Sequence, residues 1–147
     1  MIQLDSEWQT AINNALPDGC PILWASAGAD GQPSTGFFGT TQALSDHEIA
    51  LWMRNPARGF LKRIAENPKV TMQYRNPETR MAFQIQGEAR VANDPEIDRR
   101  VYDNSVEAER TADPDRKGLA VVVDIVRIIQ RGEVVQSRDG AAGAKVD

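Results

Sequence analysis

The chain has 147 residues, 41% hydrophobic and 26% charged, a size and balance that fit one folded domain and exclude wholesale disorder. A formal net charge of −4 gives no basic field to gather a polyanion, so nucleic acid is not an expected partner. The apolar runs are far short of the ~20 residues of a membrane helix and the N-terminus lacks a basic-then-apolar leader pattern, so the expectation is a cytoplasmic protein with no membrane partner.

In chain order, Ser6–Leu16 reads as a short helix, with Asp5 or Ser6 as its cap and Pro17-Asp18-Gly19 as its stop. Pro21–Ala27 is short and apolar. Gly28-Ala29-Asp30-Gly31 turns it back into an extended Gln32–Thr41, which makes a hairpin. A turn at Leu44–His47 leads to Glu48–Arg54, where Ile49, Leu51 and Met53 alternate with Ala50, Trp52 and Arg54 as in a strand. Asn55-Pro56 is a helix-start signal for the stripe Phe60, Leu61 and Ile64, which ends at Asn67-Pro68.

Val70, Met72 and Tyr74 alternate up to a turn around Asn76-Pro77, and Met81–Val91 shows the clearest two-residue period. Asp94-Pro95 starts a helix expected to run to about Arg110. Leu119–Ile129 is β-branched and almost continuously apolar, so it reads as a strand buried on both sides, with a partner subunit as one candidate cover. From Ser137 onward Gly, Ala and charge dominate without periodicity. A disordered tail is expected over 137–147, with the single domain spanning 1–136. About six strands and three helices give a mainly β (α+β) fold, an antiparallel barrel or sandwich with helices at its edges.

Few residues suggest chemistry by themselves. Cys20 is the only cysteine, so an internal disulfide is impossible, and it reads as a small buried thiol because the only histidine, His47, falls in a hairpin turn. No Ser-His-Asp set, ligand-spaced histidine pair or phosphate-binding Gly-rich loop is present, so neither hydrolysis nor a metal site is expected.

A resemblance is carried by Asp30-Gly31-Gln32-Pro33, Ile49–Arg54, and Arg58–Pro68 ending in Ile-Ala-Glu-Asn-Pro. It continues through Lys69–Tyr74, Phe83–Val91 with its Gln-Gly-Glu-Ala-Arg-Val, and Val121–Ile128. In this order the words resemble the pyridoxamine phosphate oxidase-like FMN-binding split β-barrel family. The resemblance implies a six-stranded antiparallel split β-barrel with peripheral helices. It also implies a homodimer with cofactor sites along its interface, acting as a flavin (FMN)-dependent oxidoreductase on a small-molecule substrate that the sequence leaves unknown. One branch of the family uses a deazaflavin. Another binds haem, and a non-catalytic haem- or flavin-binding barrel is the remaining alternative. Pyridoxamine phosphate itself is not the expected substrate, because the C-terminal extension that supplies substrate residues in those enzymes has no counterpart before Asp147.

At the phosphate anchor the sequence departs from the family. The second-strand Arg and Lys positions fall on Gly36 and Thr41. The family word Tyr-Thr-Asn-x-x-Ser-x-Lys falls on Met53, Arg54, Asn55, Arg58 and Phe60, and the fifth-strand Arg-Gln pair becomes Met81-Ala82. The resemblance therefore implies a relocated anchor made of Arg54 and Arg58, with Thr40 or Thr41, near a helix start at Pro56. Phe37, Phe38 or Trp52 would lie against the cofactor ring, and Met53 completes the candidate set. The competing view makes Arg54 and Arg58 solvated charges, with Phe60 filling the former lysine space as core. No catalytic residue is assigned.

Overall fold

The computed structural model describes residues 1–146. Its elements are α1 (Ser6–Asn13), β1 (Leu23–Ala27), β2 (Pro33–Phe37), β3 (Gln42–Ala43), β4 (Glu48–Met53) and α2 (Gly59–Glu66), then β5 (Lys69–Asn76), β6 (Met81–Val91), α3 (Pro95–Asn104), α4 (Glu107–Ala112), β7 (Leu119–Gln130) and β8 (Glu133–Ser137). The first hairpin closes where expected: Gly31 takes φ 77° and the Asp30 carboxylate accepts from the Gln32 N–H at 3.0 Å.

All ladders are antiparallel, in the order β2-β1-β5-β6-β7-β4-β3, with β8 also on β7. β7 is the spine. Its first half pairs with β4 and its last residues with β8, while β6 runs along its other edge. The β6 ladder shifts register at Gln86/Gly87, where a Cβ on Gly87 would lie 2.6 Å from the Asp124 carbonyl oxygen, so only glycine permits this approach. The sheet curls into a split half-barrel around Trp24, Leu51, Met72, Tyr74, Phe83 and Val123. α1 packs across it by stacking Trp8 on Phe83 at 4.9 Å. Each fully buried aliphatic side chain in this core contributes about 1.5–3 kcal/mol.

Four differences from the sequence reading have local causes. There are eight strands rather than six, because the extended stretch to Thr41 breaks in a turn, with the Thr41 N–H on the Phe38 carbonyl, before the short β3, and because the chain turns back after β7 to add β8. α2 begins at Gly59, three residues after Pro56. Asn55 caps a preceding turn instead, accepting from the Ala57 N–H at 3.1 Å, and Arg58 stays extended as the N-cap. The helix expected to reach Arg110 stops at Asn104 and restarts at Glu107, since Ser105 is extended and turns its hydroxyl onto the Val101 carbonyl at 2.8 Å. Of the segment 137–147 expected to be disordered, residues 138–146 fold back past β8, with Gly143 N–H donating to the Val134 carbonyl and Val146 N–H to that of Gly132, and Asp147 lies outside the described residues. Those are backbone bonds, to which composition is blind, and Gly140 and Gly143 provide the positive φ that the reversal needs.

The two-sided burial of β7 is also explained within the chain. Val121, Val123 and Ile125 face the barrel, while Ala120 and Val122 join Ala50 and Trp52 of β4 under Val101 and Tyr102 of α3. The cover on the outer face there is α3.

Candidate functional site

Beyond β2 the chain crosses to β3 through Phe38–Thr41, and two threonines fix this crossing. The Thr40 hydroxyl donates to the Trp52 carbonyl and accepts from the Trp52 N–H, both at 2.9 Å, replacing a strand rung. The Thr41 hydroxyl donates to the Phe38 carbonyl at 2.7 Å and accepts from the Trp24 indole at 2.9 Å. A hydroxyl has one proton to give. Both protons are committed within the fold, so neither threonine acts as a donor to a phosphate.

The crossing, the end of β4 and α4 enclose a cleft of about 340 Å³. Phe37, Phe38, Thr40, Trp52, Met53, Arg54 and Arg58 all line it, so all the sequence candidates except Thr41 converge, and Gly39, Asn55 and Glu109 complete the wall. Phe37 is 65% exposed. Phe38 packs edge-on against the buried Phe60, with ring centroids 4.9 Å apart, so Phe60 does fill the family's lysine position with core. The Trp52 ring is buried in packing. Its indole donates to Asp113 at 3.0 Å and the ring meets Tyr102 at 74° with centroids 5.3 Å apart.

A smaller recess of about 160 Å³ adjoins the cleft and shares Phe38, Met53 and Arg58 with it. Gly36 and Phe60, the positions where the family Arg and Lys are missing, line this recess. Arg63 stands in their stead. Its Nε donates to the Ser26 hydroxyl at 2.8 Å, and its Nη1 lies 2.7 Å from where a Gly59 Cβ would be, folded back over the first turn of α2. Among the described residues neither Arg58 nor Arg63 forms an ion pair, whereas Arg54 is held by Glu109 at 3.5 Å. Arg58 thus shares the recess with Arg63 and the cleft with Arg54.

Arg63 and Glu109 are the charged wall residues that sequence reasoning missed. Gly59-x-x-x-Arg63 puts the arginine one turn above the glycine, a signal that could have been used. Glu109 had none, since its place depends on the break between α3 and α4.

Behind the cleft, Asp113 gathers the indole of Trp52 and the N–H groups of Lys117 and Gly118 at 2.9–3.0 Å. Burial pushes its carboxyl upward as the largest single influence. The Lys117 amide, the Trp52 indole, the Gly118 amide and the Lys117 charge together outweigh that and hold it below the usual carboxylate range. His47 lies away from this wall in the β3–β4 turn. Its hydrogen bond to Asp46 at 2.7 Å, aided by the negative field of Glu48, raises its pKa. No group of three His, Cys, Asp or Glu side chains among the described residues is placed to hold a metal, and no described helix is long and apolar enough to cross a membrane.

The fold is an antiparallel split barrel with a basic recess opening into an aromatic-edged cleft. Residues 11–141 match the family model described as pyridoxamine 5'-phosphate oxidase, and the chain belongs to that family. No protein of curated function matches it in sequence. Among solved structures, HupZ of Group A Streptococcus aligns with TM-score 0.63 and 19% identity over 96% of this chain and 99% of that one. An FMN-binding protein from Syntrophomonas wolfei aligns with TM-score 0.63 and 13% identity over 84% and 83%. A pyridoxamine 5'-phosphate oxidase-related, FMN binding protein from Nostoc punctiforme gives 0.60 and 14% over 82% and 78%. At these identities the likeness establishes the fold.

Proposed function

We propose that the chain is a flavin-dependent oxidoreductase that binds FMN with its phosphate in the Arg58 recess and its ring along the Phe37 cleft. The observation that carries this reading is the pair of guanidinium groups, Arg58 and Arg63, at the N-terminal end of α2 without a carboxylate partner among the described residues. Basic side chains at the positive end of a helix are destabilising by about 0.3–1 kcal/mol unless an anion joins them. A phosphate accepts from two planar forks and from the free amides of the first turn, which makes it the anion that fits.

When bound, a flavin supplies hydride and electron transfer. The chain's own residues bind and orient: Arg58 and Arg63 fix the phosphate, Gly36 keeps the recess open, and Phe37 with Met53 offers an apolar wall. A cleft of about 340 Å³ is at the small end for a ligand site, and it leaves Phe37 65% exposed. A second copy covering that ring would complete the enclosure, so a cytoplasmic homodimer is part of the reading.

The test is an absorbance spectrum of the purified protein before and after FMN is added and removed by desalting, together with its mass in solution. A dimer that retains a flavin band is expected. A protein that stays colourless overturns the FMN assignment, and uptake of a deazaflavin or of haem under the same conditions would replace it.

A further inference from the structure

α4 is held differently from the other helices. α1 buries Ile12, α2 buries Phe60 and Ile64, and α3 buries Val101 and Tyr102, but α4, with the sequence Glu-Ala-Glu-Arg-Thr-Ala, buries no side chain. Hydrophobic packing therefore does not fix it. Polar contacts do: Glu109 pairs with Arg54 at 3.5 Å, the Tyr102 hydroxyl donates to the Arg110 carbonyl at 3.1 Å, and the Arg110 guanidinium donates to the Ser105 carbonyl. The helix is a strap between two anchored points. Ser105 is tied to Val101 at one end, and at the other Asp113 is tied to Trp52, Lys117 and Gly118.

Across this strap lie two clefts. The one with Arg54 measures about 340 Å³, and the second, about 400 Å³, reaches Gln42, Arg100 and the hinge residues Ser105 and Val106. Both include Gly39 and Thr40, and Glu109 bears directly on this shared floor: a Cβ on Gly39 would lie only 2.8 Å from its carboxylate oxygen.

We propose that α4 is a gate, that the Arg54–Glu109 pair is its latch, and that release of the latch joins the two clefts into one groove over Gly39 and Thr40. Arg54 is 47% exposed and Glu109 23%, and a pair of that kind is worth about 0.2–1 kcal/mol. Release of the latch is therefore thermally accessible, as expected of a segment at the low end of local stability. The joined groove suits an elongated ligand with an anionic group that replaces the Glu109 carboxylate at Arg54. The gate does not depend on the flavin reading, because the latch exists without ligand.

Hydrogen exchange followed by mass spectrometry on the ligand-free full chain tests it in Arg54→Gln, Glu109→Gln and the double variant. Each single substitution is expected to speed exchange across Glu107–Asp113 about threefold, the factor that the loss of such a pair allows. The double variant should be no faster than either, since both remove the same contact. α3 exchange should not change. Arg54→Gln is decisive because it leaves the sequence of α4 untouched. If α4 keeps its wild-type exchange in that variant, or if α3 and α4 speed up together, the latch is refuted. An effect confined to Glu109→Gln would reduce Glu109 to an acid in a helical first turn and refutes it equally.

Discussion

The α3-facing side of β4 and the segment beyond its Met53 end are finished in opposite ways. Toward α3, Ala50 and Trp52 enter a sealed cluster in which the polar groups have partners: the Trp52 indole on Asp113, the Tyr102 hydroxyl shared between the Arg110 and Asp113 carbonyls, and the Arg116 guanidinium over the Tyr102 ring at 4.3 Å. Beyond Met53, by contrast, Arg58 and Arg63 face a recess without carboxylates and Phe37 stands in water. The sealed end carries stability. The open end keeps basic charge without a carboxylate partner among the described residues and an exposed aromatic ring, which is why the proposed binding site is put there.

The largest effect expected from breaking this division is at the sealed side. Val123 is 1% exposed and packs between the barrel core and the Gly87 close approach. Val123→Asp places a charge where no partner exists, and a loss of at least about 4 kcal/mol, with failure of cooperative folding, should follow. Urea denaturation measures it. A variant that unfolds like wild type would mean that this position is not core.

Next in size is Asp113→Ala, which strands the buried Trp52 indole donor and two loop amides and should cost about 3 kcal/mol in the same assay. Its pH behaviour sharpens the point. Because the folded-state carboxyl is held below its ordinary value, its stabilisation is fully present above the unfolded pKa of about 3.9 and is lost as pH falls through the lower folded value. Asp113→Asn should therefore flatten the acid side of the stability curve below about pH 4. An unchanged acid limb would show that the carboxylate is not what the three donors hold.

Legibility in the sequence divides along the same line. The barrel was readable because alternation at Met81–Val91 and Val70–Tyr74 reports a face buried by the chain itself, and those residues do pair in register in β5 and β6. The cleft was readable as a neighbourhood, since Phe37–Thr40 and Trp52–Arg58 are two short segments that a hairpin fold brings together. Roles within it were less readable. Thr40 and Trp52 look like ligand contacts in one dimension, yet their polar atoms are consumed by each other and by Asp113, facts that exist only once distant segments meet. Arg54 looked free because Glu109 is far away in sequence, and α4 could not be foreseen because an extended Ser105 interrupts a stretch with ordinary helical composition.

The smallest effect on folding, and the most informative about binding, is expected at the open end. The Arg58 guanidinium makes no ion pair with any described residue, and its backbone N–H is bonded to the Asn55 carbonyl. Arg58→Ala should leave the melting temperature almost unchanged while weakening FMN binding by about 1.5–3 kcal/mol, the scale of a charge-assisted hydrogen bond. Arg63→Ala should weaken binding similarly but also soften the fold slightly, because Arg63 ties α2 to Ser26 of β1. Titration of FMN by quenching of its fluorescence, paired with thermal melts, separates the two quantities. If Arg58→Ala binds FMN as tightly as wild type while Arg63→Ala loses only stability, both arginines are surface charges, and the open end of β4 must be explained by a partner that covers it and not by a phosphate within it.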